Sequence, residues 1–96
     1  MKKERKIEYV CNTVRWFDRV NGNTYHSNMI TRCKDGAVIR TEWTYGYGDH
    51  YRTTALETMR AAGWVDKSWN EMENNYPIYW EAHDGLKREM IKNGGE

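Results

Sequence analysis

Phenylalanine occurs once in these 96 residues, cysteine twice, and neither sign of charge is in real excess. Each shortage bears on function. No stretch approaches the roughly 18 consecutive apolar residues of a membrane-spanning helix. The basic run Lys2-Lys3-Glu4-Arg5-Lys6 is followed by no apolar segment, so residues 1–6 read as a frayed, solvated end and not as a targeting signal. Cys11 and Cys33 have neither Cys-x-x-Cys spacing nor the density of a disulfide framework, which favours two reduced thiols in a soluble cytoplasmic protein. Fifteen Lys and Arg against fourteen Asp and Glu leave a net charge of +1, short of the basic excess of a dedicated nucleic-acid binder, with a local basic patch still open. There is no Gly-Lys-Ser/Thr phosphate loop and no Gly-x-Ser-x-Gly nucleophile elbow. Repeats, linkers and low-complexity segments are absent, and the length suits one domain over residues 1–96.

What is plentiful is tryptophan and tyrosine, five and seven of them. Both bury apolar area while keeping a polar tip, which suits a thin core whose aromatics lie partly at the rim, or an aromatic binding face. Residues 8–18 are rich in β-branched and aromatic types, with Val10, Val14 and Trp16 on one face at period two and Thr13 and Arg15 on the other. Asn21-Gly22 follows, a strong hairpin signal of the type I′ kind. A second strand over Thr24–Cys33 is expected to turn Tyr25, Met29 and Cys33 inward and His26, Asn28 and Arg32 outward. After Lys34-Asp35-Gly36, a third strand over Ala37–Tyr45 sets Ile39, Trp43 and Tyr45 against Arg40 and Glu42. The three strands predict an antiparallel meander with one solvated face.

Gly46 and Gly48 break the third strand, and Asp49 stands where a helix N-cap would. Tyr51, Ala55, Leu56, Met59 and Ala62 form one helical stripe, placed to cover Ile39, Met29 and Trp43. Gly63 at the stop and Trp64 beyond it predict a Schellman ending packed on Met59. Residues 66–75 have no clean period and read as a loop with Trp69 as a plug. Tyr76–His83 fits a strand or a helix; the alternation of Tyr76, Ile78 and Trp80, and the interruption at Asp84-Gly85, favour the strand. Asp84 can cap a last short helix over 85–92 that stops at Gly94-Gly95. The expected order is β-β-β-α-β-α, an α+β domain with one principal helix across the sheet.

Three sets of residues are candidates for chemistry. His26, His50 and His83 lack ligand spacing, so neither a metal nor another cofactor is expected, and the sequence argues for a chain that is not an enzyme. Gly46-Tyr47-Gly48 before a helix superficially suits a phosphate, but Gly-x-Gly-x-x-Gly is incomplete and Asp49 would repel the anion. The corner is better suited to protein contact: Tyr47, His50 and Arg52 are expected outward, and tyrosine and arginine dominate interface hot spots. Arg15, His26, Arg32 and Arg40 are expected to form a cationic outer face of the sheet, the basis of an alternative nucleic-acid-binding reading.

The element order is similar to that of double-stranded-RNA-binding domains, although where that family has a Lys-Lys pair the chain has Asp49-His50-Tyr51-Arg52. A second likeness covers about residues 12–62. Val14–Asp18, Asn21–Ser27 and Tyr45–Tyr51 resemble a run in small accessory proteins of tailed bacteriophages and prophages. That resemblance implies a non-catalytic protein that binds host machinery or a defence complex in the cytoplasm of a bacterial host.

Overall fold

The computed structural model describes residues 7–65 and 77–95. The expectations for the frayed terminus, for the 66–75 loop with its Trp69 plug, and for Tyr76 lie outside them. The described chain runs β1 (Tyr9–Asp18), β2 (Asn23–Arg32), β3 (Val38–Tyr45), α1 (His50–Ala61), β4 (Ile78–Asp84) and α2 (Lys87–Asn93), an α+β arrangement in the expected order. The sheet order is β3-β2-β1-β4. β1 to β3 form the antiparallel meander, and β4 is a strand as the alternation favoured, paired parallel to β1.

The first hairpin is built differently from expectation, whereas the second turns at Lys34-Asp35-Gly36 as expected. Gly22 has a positive φ of 71°, but no described non-glycine residue does, Asn21 included, so Asn21-Gly22 is not a type I′ pair. The Asp18 carboxylate instead accepts the amides of Val20 and Asn21 and the Asn21 side chain, organising a four-residue loop. At the second turn Asp35 accepts Arg32 through two bonds and the Ala37 amide, while Gly36 takes a φ of 74°.

Both faces of the sheet carry a helix, which corrects the expected solvated face. α1 covers Cys11, Ile30 and Ile78 with Ala55, Leu56 and Met59. α2 lies on the other face: the Ser27 hydroxyl donates to the Met90 carbonyl, and the Asn93 amide donates to the Asn12 and Ser27 carbonyls. A sheet covered on both sides loses clean apolar–polar alternation, and the expected facing is inverted here. Register puts Cys11 opposite Ile30, Thr13 opposite Asn28 and Arg15 opposite His26, all on the α1 face. Val14, Trp16, Tyr25 and Met29 belong to the α2 face. His26 and Asn28, expected outward, are fully buried.

A bulge adds a second correction. Glu42 and Trp43 together stand opposite Ser27, between the His26–Thr44 and Asn28–Thr41 pairs. The extra residue re-phases the strand, so Ile39 packs against the α1 core while Trp43 and Tyr45 turn to Tyr25 on the α2 side. The end of α2 closes over the bulge. A Cβ on Gly94 would stand 3.1 Å from the Trp43 nitrogen and 3.2 Å from the Glu42 Cα, so only glycine fits without displacement there.

α1 begins after Asp49, but the Asp49 carboxylate makes no capping bond. The helix ends as predicted. Gly63 has a φ of 75°, its amide bonds the Arg60 carbonyl, and the Trp64 amide bonds the Met59 carbonyl at 2.9 Å. Trp64 then packs against the core cluster that holds Met59. Tyr51, Ala55, Leu56 and Met59 are buried, whereas Ala62 is exposed because the chain is already leaving the helix. α2 is capped by Glu89, which accepts the Leu86 amide at 2.9 Å; Asp84 remains in β4.

Candidate functional site

Strand ends and helix starts converge at one end of the sheet. β1 and β4 finish there, β2 begins there, and β3 passes through Gly46–Asp49 into α1. What holds that corner is a buried polar network between the α1 face and the first turns of α1. The His26 Nδ1–H donates to the Gly46 carbonyl at 3.1 Å, since a carbonyl can only accept. In the neutral ring Nε2 therefore accepts from the Thr54 hydroxyl at 2.8 Å. Asn28 Nδ2 donates to Thr54 Oγ1 at 3.0 Å and lies 3.2 Å from the Tyr51 carbonyl, and Asn28 Oδ1 accepts the Thr13 hydroxyl at 2.6 Å. Thr41 and Thr58 extend the chain of bonds along the helix.

The network explains why polar residues occupy a core position: each finds a partner on α1 or at the corner. Burial pushes the His26 ring below its usual pKa. The bond to Gly46 opposes that shift, while the His50 and Arg15 charges add to it. The exposed His50 ring stands over His26 with 5.8 Å between centroids. Gly46 passes between them, and a Cβ there would come within 2.8 Å of His26 Cε1. The corner is thus fixed from below by the network and at the side by the absence of a side chain.

On this base sits a cleft of about 550 Å³ lined by Tyr45, Tyr47, Asp49, His50, Arg52 and Thr53. Tyr47, His50 and Arg52, the three corner candidates, are brought together there. Tyr47 is 70% exposed, and Arg52 lies 5.4 Å from the Trp80 ring centroid and 5.8 Å from that of Tyr51. A second cleft of about 750 Å³ adjoins Gly48 and is lined by Arg15, Phe17, Asp18, Val20, Asp84 and Leu86 among others. Gly48 has a φ of 61°, a backbone state that glycine reaches without strain.

The four proposed outer cations are not one surface. Arg15 pairs with Asp84 at 3.4 Å and stands 6.0 Å from the Tyr51 ring centroid, so it joins the corner end. His26 is buried in the network. Arg32 is bound to Asp35 at 2.7 Å and lies 4.6 Å from the Trp64 ring centroid, at the opposite end of β2. Arg40 is on the α2 face with its hydrogen bond on the Met29 thioether. Inverted facing and the second helix separate them.

Sequence reasoning missed Phe17, Val20 and Leu86 and placed Tyr45 in the core. Val20 is 92% exposed at the loop tip, an apolar residue where turn chemistry favours polar ones, which was the available signal. Leu86 was a second one, an apolar residue between a glycine and the start of a helix.

Other chemistry at the site is limited by what the groups are. Burial pushes the Cys11 thiol up to about 12, against the opposing pulls of the Thr13 hydroxyl and the Arg52 charge, so it stays protonated and unreactive. Among the described residues no three His, Cys, Asp or Glu side chains gather as a metal site, and no helix is long and apolar enough to cross a membrane. Compared with family models, curated proteins and solved structures, the chain shows no match to any.

Proposed function

We propose that the chain is a non-catalytic protein-binding module whose contact surface is the corner end of the sheet. One observation carries this reading. Phe17, Val20, Tyr45, Tyr47 and Leu86, exposed by 55%, 92%, 54%, 70% and 53%, gather about the two clefts that adjoin at Gly46–Asp49. Solvated side chains of this size in one patch, interleaved with Arg15, Arg19 and Arg52, have the composition of an interface hot spot and its rim. The fixed corner lowers the ordering cost of presenting them. Acids line the same clefts, Asp49 in one and Asp18 with Asp84 in the other, which disfavours a phosphate backbone as the partner. If the resemblance to bacteriophage accessory proteins holds, the partner is a bacterial host or defence protein.

The test is affinity capture from bacterial lysate, with and without nuclease, comparing the natural chain with Phe17→Ser/Tyr47→Ala. A protein retained through nuclease treatment and lost with the variant supports the reading. Capture that disappears with nuclease points to nucleic acid instead, and identical capture by both proteins overturns the assignment of this surface.

A further inference from the structure

Among the described residues β3 has a neighbour on one side only, β2. The bond from the Arg32 amide to the Ala37 carbonyl sets the alternation along it. Residues 37, 39 and 41 turn their peptide groups to β2, while Val38 and Arg40 turn theirs away, and Glu42 follows in the same phase at the start of the bulge. Above this unpaired edge, Thr54, Glu57, Thr58 and Ala61 of α1 wall an open groove of about 510 Å³ whose floor is residues 40–44. An unpaired edge beside a helix is the geometry to which an extended strand adds, with main-chain bonds supplying affinity and side chains supplying choice.

The side chains on this edge favour a particular strand. Arg40 and Glu42 are both exposed, and neither belongs to an ion pair among the described residues. Arg40 spends its hydrogen bond on the Met29 sulfur at 3.6 Å, a weak acceptor that is readily exchanged for a carboxylate. Charges on an edge usually prevent pairing, because like charges meet. Here opposite charges stand two residues apart, and a two-fold axis through Thr41 reverses their order. Arg40 then falls opposite the partner's Glu42, and Glu42 opposite the partner's Arg40. The same axis aligns outward peptide groups with outward peptide groups, as an antiparallel ladder requires.

We propose that two copies of the chain associate through β3, antiparallel about Thr41, forming one continuous sheet with two reciprocal Arg40–Glu42 pairs.

Sedimentation velocity from micromolar to millimolar chain tests this. The natural protein is expected to dimerise with concentration and to loosen with added salt, since the pairs are solvent-exposed. Arg40→Glu alone and Glu42→Arg alone each set like charges opposite one another and should raise the dissociation constant at least about tenfold. Arg40→Glu/Glu42→Arg in one chain restores complementarity and should restore the dimer. Circular dichroism of each variant checks that the fold is retained, as these exposed positions predict. A monomer throughout the range overturns the proposal, as does a dimer insensitive to the single changes or one that the double change fails to rescue.

Discussion

Replacing Asn28 by alanine tests the network that holds α1 to the sheet. The amide is fully buried and serves both sides at once: its oxygen takes the Thr13 hydroxyl, and its nitrogen reaches Thr54 and the Tyr51 carbonyl. Alanine leaves the Thr13 hydroxyl with only the Cys11 sulfur at 3.7 Å, whereas the Tyr51 carbonyl keeps its place in the α1 hydrogen-bond ladder and stands 3.0 Å from the Thr54 hydroxyl. One hydroxyl orphaned in a dry site costs about 1–3 kcal/mol. A domain of this length has roughly 5–14 kcal/mol in total, so the variant should remain folded but be clearly destabilised. Urea unfolding read by tryptophan fluorescence gives the number. Removing the demand as well as the supply distinguishes this cause from simple cavity formation. Thr13→Val with Asn28→Leu should cost less than the sum of the two single changes, by about 0.5–3 kcal/mol. A loss below about 1 kcal/mol for Asn28→Ala, or strict additivity in the cycle, would refute the reasoning.

Three further outcomes follow from the same structure. Leu56→Ala removes a side chain only 1% exposed in the α1 core and should cost about 2–5 kcal/mol in the same assay, whereas an exposed α1 would show almost no loss. Gly46→Ala drives a methyl group against His26 and His50, and should lower stability by about 1–3 kcal/mol with loss of the corner's amide protection from exchange; an unchanged melting temperature would mean the corner is loosely held. The lowered pKa of His26, caused first by burial, gives a pH dependence. Above the ordinary value of 6.5 both states are neutral and the contribution is complete. As pH falls below that value the unfolded chain binds the proton first, so stability declines until the folded ring titrates. Melting between pH 8 and pH 5 should show this decline in the natural protein and a flatter profile in His26→Gln, and parallel profiles would remove His26 as the cause.

The parts of the fold that were legible depend on local chemistry. Gly63 followed by Trp64 announced the end of α1, because a positive φ and an apolar contact beyond it are fixed within a few residues. Tyr76-x-Ile78-x-Trp80 announced β4, though not its parallel pairing with β1, which depends on a strand far away in sequence. The facing of β1 and β2 was not legible. Val14, Trp16, Tyr25 and Met29 looked like the only core because α2, seven residues long, gave little sign that it would cover a face of its own. His26 and Asn28 looked exposed because their partners, Thr54 and the Tyr51 carbonyl, become available only once α1 has docked. The bulge at Glu42-Trp43 leaves no mark in composition, yet it moves Tyr45 from the expected core to the rim of the cleft. At the site, Tyr47, His50 and Arg52 could be grouped from the sequence because one corner carries them. Phe17, Val20 and Leu86 reach it from other hairpin and helix ends.

The most direct test of the protein-binding account is the affinity of a captured partner for the natural chain and for Tyr47→Ala, measured by calorimetry. Tyr47 is 70% exposed and contributes nothing to the core, so its loss should leave the melting temperature unchanged. The account predicts weaker binding by about 2 kcal/mol or more, roughly thirtyfold in dissociation constant. Unchanged affinity with an intact fold would contradict it and place the contact surface elsewhere on the protein.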